Sequence, residues 1–394
     1  MKILISSFTF PPNKDGVSEA ASMMSVAFLQ RGWQVDVATM PVNPARETMD
    51  WNGAAIHEFS VTGNGQPKRP FCGEVEQYRQ FLIQGTWDVI IFHAYTWSVL
   101  VAIDLLDRIS GKKVLVSHGY AALQWTRVAN FPWGLGVWAW SVRDALKMVL
   151  WIRKIDQTVY LSERADLRGF FDHWIAKATG YKGRRVIPNG VDPNERGTDA
   201  IGFRQAHGIP VNHFMFLCVA NYSRRKDQGY AARAFRAAKL TDAVLVFIGS
   251  EFNSDSARFQ AEDEVLPDTA KHGRVIWLEN IDRPSTLNAF AACDAFVLSA
   301  DHEAQPIALL EAMREEKPWV ARDAGCISQM AGGICVRSES DMGSQMARLT
   351  TNPKLCETLG QEGQNAIRTS YNHQQYIESY CTLIQELTGQ SSPP

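Results

Sequence analysis

Glu303 and Glu311 stand eight positions apart in the run Asp-His-Glu-Ala-Gln-Pro-Ile-Ala-Leu-Leu-Glu-Ala-Met, Asp301 to Met313. The apolar residues from Ala295 to Ser299 read as a buried strand, and Ile307 to Arg314 reads as a helix. Glu303 is then expected in the turn at the strand's carboxyl end, and Glu311 more than one helical turn in. Between them the new helix presents unpaired backbone N–H groups, a natural anion site. Pro306 supplies no N–H and suits a helix start, which leaves Ile307 and Ala308 as the donors. Two carboxylates that accept hydroxyl hydrogen bonds beside a phosphate site describe a pocket for a sugar nucleotide. The plain alternatives are a solvated helix glutamate at 311 and a helix-capping turn carboxylate at 303.

Other chemistry-bearing residues fall at expected strand ends. The loop Ala220-Asn221-Tyr222-Ser223-Arg224-Arg225-Lys226 is cationic and follows the strand Phe214 to Val219. His118 closes the apolar strand Val114 to Ser117 and precedes Gly119, and His93 follows Val89-Ile90-Ile91-Phe92. Ligands of α/β folds gather at such strand ends. Gly16 lies in the first strand-to-helix connection, where a side chain would keep a ligand from the backbone. No GxGxxG follows the first strand, which weighs against a nicotinamide or flavin site.

The elements that must position these residues alternate strand and helix through two halves, the pattern of doubly wound parallel sheets. In the first half, strands are expected at Lys2 to Ser6, Gln34 to Thr39, Asp88 to Phe92, Val114 to Ser117 and Gln157 to Leu161. A helix from Ser18 to Arg31 is closed by Gly32. The second half offers strands at Phe214 to Val219, Ala243 to Ile248, Arg274 to Leu278, Ala295 to Ser299 and Trp319 to Ala321, and a helix from Asp227 to Lys239. The Pro-Asn-Gly turn at 188–190 and the polar stretch Asp192 to Thr198 mark the boundary. The expected domains are 1–190 and 191–369. A last helix, about 370–388, carries Tyr376, Tyr380, Leu383, Ile384 and Leu387 on one face.

Composition bounds the rest. A chain of 394 residues suits two domains, and 45% hydrophobic with 21% charged residues is ordinary for a soluble globular protein. A net charge of -2 argues against a nucleic-acid binder. The seven cysteines are scattered, without metal-ligand spacing, and fit a reducing compartment. The start, Met1-Lys2-Ile3-Leu4-Ile5, runs straight into a strand with no signal-peptide stretch, so a cytoplasmic location is expected. Trp125, Trp133, Trp138, Trp140 and Trp151 crowd the segment 121–155, with Phe131 and Leu135 between them and Arg143, Lys147, Arg153 and Lys154 near the end. Rings beside cations suit peripheral contact with an anionic membrane at its cytoplasmic face. Helices packed on another part of the protein are the alternative.

The Glu-x7-Glu run ahead of Ala-Met, with Val-Ile-Pro-Asn-Gly-Val-Asp at 186–192, Ser117-His118-Gly119 and Ala324-Gly325, resembles the retaining GT-B glycosyltransferases of family GT4. The resemblance covers nearly the whole chain, Lys2 to about Leu387. It implies a GT-B fold of two Rossmann-like domains facing a central cleft, with the last helix crossing back onto the first. It implies a nucleotide diphosphate sugar as donor, a saccharide or lipid-linked acceptor, and no cofactor. Within it Glu311 takes the donor ribose hydroxyls, Glu303 lies beside the transferred sugar, and Lys226 binds the diphosphate. His118 lies against the donor sugar, Gly16 near a ligand, and His93 on the acceptor side. Two departures stand out. The arginine usual five residues before the lysine is Asn221 here, so Arg225, or Arg224, is the candidate replacement. The usual Gly-Gly pair is Asp15-Gly16. Asp301-His302-Glu303 superficially resembles the metal-binding Asp-x-Asp of another glycosyltransferase class, but the family works without that metal. A sugar-nucleotide epimerase and a catalytically silent sugar-nucleotide-binding subunit are the rival readings.

Overall fold

The structure, a computed structural model, describes residues 1–13, 15–65, 69–120, 142–143, 146–166, 170–265 and 272–389. It divides into two compact units, Met1–Pro188 with Tyr376–Pro394, and Asn189–Gln375.

The first unit is built on β1 (Lys2–Ser7), β2 (Gln34–Thr39), β3 (Asp50–Trp51), β4 (Ala54–Glu58), a hairpin β5 (Val61–Thr62) and β6 (Cys72–Gly73), β7 (Val89–His93), β8 (Lys112–Ser117), β9 (Gln157–Tyr160) and β10 (Arg184–Val186). Its main sheet runs β10-β9-β8-β7-β1-β2-β4-β3, parallel except for the β3–β4 pair. Every residue of β7 is buried, as is β1 from Ile3 onward, because helices and loops cover both faces. Ile3 and Ile5 pack on one face of the sheet, Leu4 on the other. Tyr376, Tyr380, Leu383 and Ile384 of the helix His373–Thr388 join Ile3, Ile5 and Val89 in one apolar cluster. The helix Gly16–Gln30 starts where Asp15 Oδ1 accepts from the N–H groups of Val17 and Ser18, at 2.9 and 3.0 Å. Gly16 is thus the first helical residue. Gly32, at φ +73°, turns the chain into β2.

The second unit holds β11 (Phe214–Val219), β12 (Ala243–Gly249), β13 (Arg274–Glu279), β14 (Ala295–Leu298), β15 (Trp319–Arg322) and β16 (Gly333–Val336), parallel in the order β13-β12-β11-β14-β15-β16. In each sheet the chain reverses its direction of winding once, between β7 and β1 in the first and between β11 and β14 in the second. Such switch points open a crevice at the strands' carboxyl ends, where α/β folds hold ligands. Among the described residues, no helix is long and apolar enough to cross a membrane.

Candidate functional site

In the second unit the switch point brings together the loop after β11 and the turn after β14. Lys226 Nζ donates to Glu303 Oε1 in a close ion pair between half-buried lysine and buried glutamate. Their backbones are tied as well. Ser299 Oγ donates to the Lys226 carbonyl at 2.9 Å, and the Asp301 N–H to the Arg225 carbonyl at 3.0 Å. Glu303 does not cap the following helix, whose N-cap is Pro306 with no side-chain hydrogen bond. The capping alternative therefore fails. The first N–H groups of the helix Ile307–Arg314, at Ile307 and Ala308, meet no acceptor among the described residues.

The turn that carries Glu303 is held from two sides. Gln305 is buried, and its Oε1 accepts from the Asn189 N–H at 2.6 Å, while Asn189 Nδ2 donates to the Gln305 carbonyl at 3.3 Å. The Asn-Gly turn that marks the domain boundary in sequence thereby pins the site. On the other side Gly325 adopts φ +57°, and a Cβ there would stand 1.9 Å from the Glu303 carbonyl oxygen. Only glycine fits this position.

Glu311 is 5% exposed, which rules out the solvated helix face. Arg283 Nη1 donates to its Oε1 in a close ion pair. The same guanidinium binds Glu195 through Nε at 3.0 Å and Nη2 at 2.6 Å. Glu195 in turn receives Arg314 Nη1 at 3.1 Å. Arg314 is almost wholly buried, and its Nε and Nη2 make no hydrogen bond among the described residues. Burial pushes the Glu311 carboxyl above its ordinary value, while Arg283 and Arg314 pull it back down. Arg283, Glu195 and Arg314 were not legible as site residues. Arg283 lies 28 positions from Glu311 along the chain, and Glu195 sits in the polar stretch read as a boundary.

The two arginines before Lys226 differ in availability. Arg224 is committed to Asp255, by its backbone N–H at 3.1 Å and Nε at 3.2 Å. Arg225 is exposed and makes no ion pair among the described residues, and its charge helps to depress the His302 pKa, second to burial. Among the described residues Arg225 is therefore a cation near the turn that is left free for an anion. Asn221 is exposed, and its carbonyl accepts from Gln228 Nε2 at 3.1 Å.

In the first unit, His93 ends β7 beside Ser7 of β1, and His118 follows β8. Their ring centroids lie 5.7 Å apart. Neither ring nitrogen of His93, nor Nε2 of His118, has a partner among the described residues. Ala94, between His93 and Tyr95, adopts φ +62°, a strained conformation for a residue other than glycine. Burial holds His93 well below the usual imidazole pKa, and His118 is pushed down to about 4, against an opposing pull from Asp15. The unfolded chain therefore binds protons that the folded one refuses. The two rings should therefore contribute stability that is full above about pH 6.5 and lost as pH falls, for His118 toward about 4, at up to about 1.4 kcal/mol per pH unit for each ring. Chemical denaturation between about pH 7 and pH 5 should show this slope, and His93→Asn should flatten it. A pH-independent stability over that range would contradict buried neutral rings.

Among the described residues no group of three or more His, Cys, Asp or Glu side chains is placed to hold a metal ion. The tryptophans at 125, 133, 138 and 140, with Phe131 and Leu135, lie outside the described residues, whereas Trp151 is buried in the first unit's core.

Two doubly wound parallel sheets, each with a switch point, are the architecture of the GT-B fold. Residues 200–366 match the model of the glycosyl transferases group 1 family, so the chain carries a domain of that kind. Sucrose-phosphate synthase from Thermosynechococcus elongatus is similar in structure, at TM-score 0.78 and 16% identity over 99% of this chain and 100% of that one. HepE of Anabaena, in complex with UDP-glucose, gives TM-score 0.73 and 15% identity, covering 98% and 100%. WaaG, a glycosyltransferase involved in lipopolysaccharide biosynthesis, gives 0.68 and 16%, covering 99% and 100%. No curated protein matches the chain in sequence.

Proposed function

We propose that the protein transfers a sugar from a nucleotide diphosphate sugar to an acceptor hydroxyl with retention at the anomeric carbon. The observation that carries the reading is the Lys226–Glu303 pair at the switch point, beside the open N–H groups of Ile307 and Ala308. In this reading the diphosphate takes Lys226, Arg225 and the helix start, which disperse the charge that builds on the leaving oxygens. Glu311 receives the ribose hydroxyls. Glu303, released from Lys226, faces the sugar and stabilises the positive charge developing at the anomeric carbon. His118 hydrogen-bonds the sugar, Gly16 opens room for a ligand, and His93 serves the acceptor side. The bond from the anomeric carbon to phosphate breaks, and the acceptor oxygen bonds to the same face. Its proton passes to the leaving phosphate oxygen. The enzyme supplies placement and charge.

Since the similar HepE structure holds UDP-glucose, a uridine diphosphate hexose is the first donor to try. Release of the nucleotide diphosphate only when a saccharide or lipid-linked acceptor is added is the expected result. Conversion of donor without acceptor would favour an epimerase, and binding without turnover a silent subunit.

We further propose an acceptor of a cell-surface polysaccharide or glycolipid pathway, reached at a membrane face. Leu146 and Leu150, four apart in the helical residues 146–151, are exposed, with exposed Lys147, Arg153 and Lys154 close in sequence. Apolar side chains among cations suit an anionic lipid surface. Wild type should pellet with vesicles containing anionic phospholipid at low salt and less at high salt, and Leu146→Ser/Leu150→Ser should weaken pelleting. Absence of pelleting at either salt would leave a soluble acceptor as the answer.

A further inference from the structure

Asp172 is the second residue of the helix Phe171–Ala178 in the first unit and is 0% exposed. Nothing in the proposed reaction uses it. A carboxylate so deep is costly unless its partners hold it, and what holds it here is the site itself. Its Oδ2 accepts from Ser117 Oγ at 2.5 Å and from the Tyr95 hydroxyl at 2.9 Å. Ser117 Oγ also accepts from the Gly119 N–H at 3.1 Å. Ser117 and Gly119, joined by this hydrogen bond, thus bracket His118. Tyr95 stands two residues beyond His93, across the strained Ala94. One carboxylate oxygen therefore clasps the ends of β7 and β8, the two strand ends that present the histidines.

The helix bearing Asp172 is itself fixed to this edge. The Phe171 N–H donates to the Tyr120 carbonyl at 3.1 Å, just past Gly119, and the ring of His173 stacks on Tyr160 of β9 at 4.0 Å. Tyr95 and Tyr120 pack with ring centroids 5.0 Å apart. The anchor is therefore attached to the same stretch of chain that it orders.

We propose that Asp172 is a positioning residue, acting through Ser117 and Tyr95 to fix the strand ends that carry His118 and His93. The proposal rests on the reading of His118 as a sugar-contacting residue. Because one oxygen receives both hydrogen bonds, charge is not the requirement; an acceptor at that point is. Asp172→Asn keeps the acceptor, whereas Asp172→Ala removes it and Ser117→Ala breaks the link to His118.

The test is steady-state kinetics on the full-length protein at saturating acceptor, with uridine diphosphate binding measured by calorimetry. Asp172→Ala and Ser117→Ala should each lower kcat by roughly tenfold or more with uridine diphosphate affinity unchanged, since the diphosphate residues belong to the second unit. Asp172→Asn should stay within about threefold of wild type. In a His118→Ala background Ser117→Ala should have no further effect, because residues acting as one unit are not additive. Full additivity there, or a wild-type kcat for Ser117→Ala, would overturn the proposal while leaving the sugar site in place. A wild-type kcat for His118→Ala would instead remove the reading of His118 on which it rests. Should Asp172→Ala fail to fold, Ser117→Ala, which deletes one oxygen, carries the test alone.

Discussion

On the proposed reading, Lys226→Ala should cost the protein its donor. A charged hydrogen bond of this kind contributes about 1.5–3 kcal/mol, so uridine diphosphate affinity should fall by roughly ten- to a hundredfold. The loss in kcat/KM should be greater, because the charge on the leaving phosphate is largest as the bond breaks. The same change leaves Glu303, 9% exposed, without its cation. An orphaned buried charge destabilises by about 3–5 kcal/mol at most. Lys226→Ala/Glu303→Ala should therefore melt above Lys226→Ala while remaining equally unable to bind. Calorimetry and thermal denaturation separate the two effects. Diphosphate binding equal to wild type in Lys226→Ala would remove its proposed role, and Arg225→Ala, expected to lose less, would then be the variant to examine.

A second large effect is expected where the two glutamates part company. Glu303→Ala should lower kcat at saturating acceptor by about a hundredfold with a modest change in donor affinity, since on the proposed reading the charge it faces exists only in the transition state. Glu311→Ala should do the reverse, raising donor KM and Kd by roughly ten- to a hundredfold, because the ribose contacts proposed for it are shared by ground and transition states. Full kinetics with varied donor decide this. Both variants keeping wild-type parameters would sink the assignment. Arg283→Gln is informative beside them. It frees Glu311 of its partner, so tighter donor binding would mean that Arg283 and ribose compete, and weaker binding that Arg283 itself contributes.

The central strands were legible because a strand buried on both faces is a run of apolar residues between turn signals. Phe214–Val219, for instance, has the expected bounds. The edges were not. β10 is three residues long and starts with two arginines, β16 includes a glycine, and β4 is interrupted by a histidine. Each is recognisable only once a neighbouring strand supplies the ladder. The site divides in the same way. Spacing places Glu303 at a strand end and Glu311 within a helix, because both depend on local periodicity. What neutralises them does not. Arg283 reaches Glu311, and Glu195 bridges two arginines, through tertiary packing that leaves no local pattern. Asp172 shows this most clearly: nothing near it in sequence announces that a helix side chain 55 residues after Ser117 will hold it.

Both acidic side chains already have a cationic companion, Lys226 for Glu303 and Arg283 for Glu311. On the proposed reading, entry of the donor is then an exchange of companions. The diphosphate draws Lys226 aside, and the freed carboxylate oxygens turn to hydroxyls. A free hexose offers the hydroxyls but has no anion with which to open the pair. The resting protein would therefore discriminate against the neutral monosaccharides of its surroundings before any contact with the sugar ring is made, and the same exchange run backwards would help to expel the spent nucleotide.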